Sequence, residues 1–171
     1  FEVKYLVMDP GYSPKNREVI ERNARTLGQV FSLHEMTPGT FLLGIYDDGL
    51  LKLDTKSNRI ERIKLDMSNI DILSFFKDND GTMWIGAEYG IYTYKDGIIR
   101  KEEDIIRELS DKSIYGILRD RQGRLWMGSY GGRITIFDKD YKVVTRLDHS
   151  NGFKTNGIND LFMDSQGGVW A

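Results

Sequence analysis

The chain has no cysteine, which excludes a disulfide framework and any cysteine-based metal centre. It has only three prolines and two histidines. His34 and His149 stand alone, without the His/carboxylate spacing of a metal site. No apolar run approaches the ~20 residues needed to span a bilayer as a helix. Charge of one sign is also missing. The net charge is −2 with both signs interspersed, and no Lys/Arg stripe argues for a nucleic acid partner. No nucleophile elbow, phosphate-binding loop or dinucleotide fingerprint occurs. A calcium loop over positions 76–87 fails, because Phe76 and Ala87 stand where acids are required. These absences leave no cofactor to expect.

What is present is glycine, eighteen residues of it, and aromatic side chains at 12%. They recur in register. Gly81-Thr82-Met83-Trp84-Ile85-Gly86 and Gly123-Arg124-Leu125-Trp126-Met127-Gly128 match position for position. Gly167-Gly168-Val169-Trp170 opens another copy, and Gly39-Thr40-Phe41-Leu42-Leu43-Gly44 is an earlier one with Leu42 in the tryptophan slot. The leading glycines at 39, 81, 123 and 167 give spacings of 42, 42 and 44. A period of about 40–45 residues assembled from short strands is the signature of a β-propeller, one blade per repeat.

Each copy reads as four strands. Around Ile70–Phe76 both faces of an extended segment carry apolar residues, as expected for a strand covered on each side. Asp78-Asn79-Asp80-Gly81 is a tight turn, with the aspartate capping backbone N–H groups and glycine accepting positive φ. Ala87-Glu88-Tyr89-Gly90 and Asp96-Gly97 supply the later turns. The expected organisation is all-β: an outer strand of a preceding blade over 1–9, a link over 10–28 with a short helix from Lys15 to Leu27, and blades over 29–66, 70–102 and 113–148. A further blade starts over 157–171, and Glu102–Leu109 is a second helix candidate. Three complete blades and two partial ones do not close a ring, and the chain starts inside a strand-like stretch and stops inside a motif. It is therefore read as a segment of a longer protein, with pairing of two copies as one way to cover its edges.

The run from Asp120 to Gly132 resembles the two-component regulator propeller repeat, whose pattern is D-x-x-G-x-L-W-I-G-T-x-x-G-L. Asp78–Ile91 and Asp164–Trp170 are similar to it too, whereas Met36 and Leu42 depart from it in a degenerate copy. The WD40 signature is absent. The resemblance implies the periplasmic sensor region of a bacterial membrane-bound hybrid two-component sensor histidine kinase, with a homodimeric kinase and a membrane anchor outside this chain. It implies oligosaccharide sensing, and no catalysis by this segment. Some relatives couple such propellers to diguanylate cyclase output instead.

Two residue sets could carry recognition. Trp84, Trp126 and Trp170 occupy one repeat slot, which argues for packing between blades rather than for ligand stacking. The turns between second and third strands lie on the disc face opposite the Asp-x-x-Gly turns. They bring Tyr46, Asp47, Asp48, Glu88, Tyr89 and Tyr130. A tyrosine ring beside carboxylate acceptors suits an oligosaccharide or another small hydroxylated ligand. The competing reading is that each tyrosine only covers a blade edge. Asp47 and Asp48 form a carboxylate pair, but neighbours in a turn point apart, which speaks against glycosidase geometry. A secreted propeller glycosidase or lyase and a protein-interaction platform remain the alternative classes.

Overall fold

The computed structural model describes residues 29–171. The strand expected over 1–9 and the link and helix expected over 10–28 lie outside the described residues. The rest forms antiparallel meanders, each strand paired with its sequence neighbour. The first sheet comprises β1 (Val30–Thr37), β2 (Thr40–Ile45), β3 (Gly49–Asp54) and β4 (Arg59–Ile63). The second comprises β5 (Ile72–Lys77), β6 (Met83–Ala87), β7 (Gly90–Lys95) and β8 (Ile98–Lys101). The third comprises β9 (Ile114–Arg119), β10 (Leu125–Ser129), β11 (Ile134–Phe137) and β12 (Val143–Leu147). A hairpin of β13 (Phe162–Met163) and β14 (Val169–Trp170) follows. These are propeller blades, three of them four-stranded.

The core lies between blades. Leu42 and Leu50 of the first blade bury against Ile72, Met83 and Ile85 of the second. Trp84 and Ile91 of the second bury against Ile114, Leu125 and Phe137 of the third. Ile134 and Ile136 of the third meet Ile158 and Leu161. Strands covered on both faces need apolar residues at consecutive positions, which explains why β6 is buried along its whole length.

A glycine and a serine fix how closely the blades approach. A Cβ on Gly44 would sit 2.5 Å from the Ile72 carbonyl oxygen, and one on Gly86 2.3 Å from that of Ile114. Any side chain there would push the next inner strand away. The two carbonyls accept hydrogen bonds from Ser32 Oγ (3.1 Å) and Ser74 Oγ (2.9 Å), so neither is buried without a partner. The second glycine of each segment, Gly44 in Gly39–Gly44 and Gly86 in Gly81–Gly86, is thus a contact point between blades, not a turn residue.

Helix α1 (Glu103–Glu108) forms where the sequence expects it, in the link between the second and third blades. Glu103 and Asp104 in its first turn and Arg107 in its last complement the helix dipole. Ile105 and Ile106 turn inward and join the core between those blades.

Candidate functional site

The Asp-x-x-Gly-x-x-Trp stretch is a structural unit. Trp84 Nε1 donates to Asp78 Oδ2 (3.1 Å), Trp126 Nε1 to Asp120 Oδ2 (2.8 Å) and Trp170 Nε1 to Asp164 Oδ2 (2.7 Å). The other carboxylate oxygen accepts turn N–H groups, such as those of Gln122 and Arg124 at Asp120. One carboxylate therefore caps the turn and holds the indole. Trp84 is 2% exposed, as a packing residue should be, while Trp170 in the terminal hairpin is 64% exposed. In the first blade Met36 and Leu42 replace the aspartate and the tryptophan together. Either partner kept alone would be a polar group facing an apolar one.

Asp78 carries an additional partner. Arg119 on β9 reaches it across the blade boundary, with Nε 2.8 Å and Nη2 2.7 Å from Oδ2. Burial pushes the Asp78 carboxyl up, but the bonds from Arg119, Asn79 N–H and Trp84 outweigh it and hold the group below the usual carboxylate range. Lys77, one repeat earlier, finds no carboxylate at Met36 and donates to its carbonyl instead (3.4 Å).

The turn residues proposed from sequence lie on the opposite edge. Strand alternation puts the β2–β3, β6–β7 and β10–β11 turns there. Each is fixed by the same backbone bond: Tyr46 N to Gln29 O, Glu88 N to Asp71 O and Tyr130 N to Ser113 O. Tyr46, Tyr89 and Tyr130 are 52%, 48% and 65% exposed. Tyr46 meets Phe31 edge-on, with ring centroids 5.4 Å apart. Tyr130 meets Tyr115 at 5.9 Å. Phe31 and Tyr115 are equivalent positions, two repeats of 42 apart, as are Tyr46 and Tyr130. The pair is therefore a repeat feature, replaced in the middle blade by Leu73 and Glu88.

Asp71 joins two of these turns, accepting from Asp47 N (2.6 Å) through its side chain and from Glu88 N through its carbonyl. Asp111 accepts from Gly131 N (2.7 Å) and braces the third. The Tyr115 hydroxyl is raised above its ordinary pKa by burial and by the neighbouring Tyr130, Asp71, Glu88 and Asp111. Tyr89 is raised by its bond to Glu88. The structure thus brings Glu88 and Tyr130 together with Asp71, Asp111 and Tyr115, none of which the turn pattern singles out. The signal for Tyr115 is its repeat equivalence to Phe31. Asp48 is engaged elsewhere, where Arg62 Nη2 lies 2.5 Å from Oδ1. The edge offers exposed rings and carboxylate acceptors, groups that can stack on a ligand and accept its hydrogen bonds.

The model of the two-component regulator propeller matches residues 66–89 and 108–131. No curated protein matches the sequence. Among solved structures, the extracellular domain assigned to a hybrid two-component system from B. thetaiotaomicron superposes with a TM-score of 0.74 at 23% identity, over 83% of this chain and 20% of that one. The extracellular domain assigned to a one-component system from the same organism gives 0.64 at 21%, over 83% and 20%. A virginiamycin B lyase from Staphylococcus aureus, solved with quinupristin, gives 0.62 at 18%, over 82% and 47%. At these identities the likeness is one of fold. The chain spans about a fifth of the length of the first two structures. Fold and repeat motif agree: this chain is built of β-propeller repeats, and two stretches of it match the two-component regulator propeller model.

Proposed function

We propose that the chain is part of an extracytoplasmic sensor propeller of a membrane-bound two-component histidine kinase, and that the edge bearing Tyr46, Tyr89 and Tyr130 contacts an oligosaccharide. The observation that supports this most is an exposed tyrosine at the turn between second and third strands of each four-stranded blade, which in the first and third blades sits against the repeat-equivalent ring of Phe31 or Tyr115. A residue needed only for packing would be covered, and these are about half exposed or more. Asp47, Asp71 and Glu88 supply acceptors for sugar hydroxyls, while the rings supply faces for pyranose C–H groups. The segment contributes recognition and no chemistry. Ligand contact favours one arrangement of a homodimeric receptor, and shifts the kinase population by no more than the affinity difference between the two arrangements.

The test is calorimetric titration of the chain with a panel of neutral oligosaccharides. Tyr46→Ala, Tyr89→Ala and Tyr130→Ala are expected to weaken a binding member by about tenfold each, the equivalent of ~1.4 kcal/mol per lost stacking face. Unchanged affinity in all three rejects the site.

A further inference from the structure

A cleft of about 330 Å³ opens on the other edge, between the second and third blades. Its size falls at the small end of the range for small-molecule sites, about 300–1,000 Å³. One wall is a single face of the second sheet. Cross-strand pairing aligns Trp84, Thr93 and Arg100 in one row, and Lys95 and Ile98 in the next row toward the turn. The facing wall is Tyr141, on the β11–β12 turn, whose ring lies 5.6 Å from that of Trp84. Equivalent rows differ in the other blades: Leu42–Lys52–Glu61 in the first, and Trp126–Ile136–Thr145 in the third. Among the described four-stranded blades, the second alone aligns a tryptophan with a threonine and an arginine.

The charges of the lining are balanced. Lys95 and Arg100 are matched by Asp96 and Glu102, so a singly charged ligand gains little from the field as a whole. Their states of engagement differ. Lys95 is tied to Asp80 at 2.8 Å. Arg100 is exposed and pairs with none of the described carboxylates. Glu102 accepts the Thr93 hydroxyl on Oε1 (2.6 Å), and its other oxygen has no donor among the described residues. Arg100 and Glu102 are two positions apart on one side of an extended segment, which sets their backbones about 7 Å apart. A cation and an anion at that separation, facing the exposed ring of Tyr141, fit a molecule that carries a carboxylate and an ammonium on one carbon.

We infer that this cleft binds a free α-amino acid with an apolar side chain. Arg100 takes the carboxylate, Glu102 takes the ammonium, and the exposed Tyr141 and Ile98 flank the side chain, with Trp84 packed beneath Tyr141. The inference does not depend on the sugar-binding reading, because it concerns the opposite edge and different residues.

The experiment is titration of the whole chain with L-phenylalanine and L-leucine, followed by calorimetry and by the indole NMR signal of Trp84. Phenethylamine and 3-phenylpropionate, which each keep one charge, serve as comparison ligands. The expected result is saturable binding of at least one amino acid with Kd below about 1 mM, and a loss of tenfold or more for both single-charge analogues. Arg100→Gln and Glu102→Gln should each weaken binding by a similar factor. Arg100 is exposed, so its variant keeps the fold, and an unchanged amide NMR spectrum away from the cleft verifies this. No saturation by either amino acid at about 10 mM would overturn the assignment. So would equal affinity for phenylalanine and phenylpropionate, or an Arg100→Gln variant that binds as the parent does.

Discussion

Replacing Asp78 by alanine should destabilise the chain far more than its place in a turn suggests. The carboxylate accepts from Arg119, from the Trp84 indole and from Asn79 N–H. The Arg119 and Asp78 side chains are only 15% and 9% exposed. Hydrogen bonds to a charged group contribute about 1.5–3 kcal/mol, and the neutral indole bond about 1 kcal/mol. Removing the anion also strands a mostly buried guanidinium, and one-sided loss of a buried pair costs about 3–5 kcal/mol. These figures overlap in what they count, so the expected loss for Asp78→Ala is about 3–5 kcal/mol. Urea unfolding followed by tryptophan fluorescence measures it as a fall in midpoint at constant slope. Arg119→Met should cost less, because its apolar stem continues to pack. The double variant should recover about 1.5–3 kcal/mol relative to the sum of the singles. A loss below about 1 kcal/mol for Asp78→Ala, or additive singles, would refute the claim that this ion pair fastens the second blade to the third.

Gly86→Ala places a methyl 2.3 Å from the Ile114 carbonyl oxygen and should cost about 2–3 kcal/mol in the same assay, by forcing two blades apart. Asp120 is pushed up by burial, but the bonds from Trp126 and Arg124 lower it below the ordinary carboxylate range. A depressed native pKa means that its contribution is complete above about pH 4 and is lost as pH falls through the native value, so Asp120→Asn should flatten the acid limb of a stability–pH curve. Tyr92 is raised by burial and by its bond to Asp66. Its contribution is therefore complete below about pH 10 and is lost as pH rises through the higher native value, and Tyr92→Phe should remove that alkaline limb in an ultraviolet titration.

The propeller is legible in the sequence because its steric demands repeat. Close approach of neighbouring blades requires glycine at 44, 86 and 128, and the capped indole requires aspartate at 78, 120 and 164. The joint change to Met36 and Leu42 looks like decay in the sequence. The structure shows why both change together, since each polar partner exists for the other. Arg119 was not readable, because its partner lies 41 residues away and neither residue type is unusual for a solvated strand end. The exposed turn tyrosines were readable from alternation alone. Asp71, Asp111 and Tyr115 were not, because they reach that edge from the links and the inner strand. The pairing of Asp48 with Arg62 was not readable either, because it depends on the register of β3 with β4.

The most direct test of the sensor reading is a deuterium-exchange footprint of the chain with and without a neutral oligosaccharide that binds it. Slowed exchange is expected to be confined to the turn segments 45–49, 88–91 and 129–133, with the Asp-x-x-Gly turns unaffected. Protection confined to those Asp-x-x-Gly turns, or binding that leaves every one of the three segments unchanged, would contradict it.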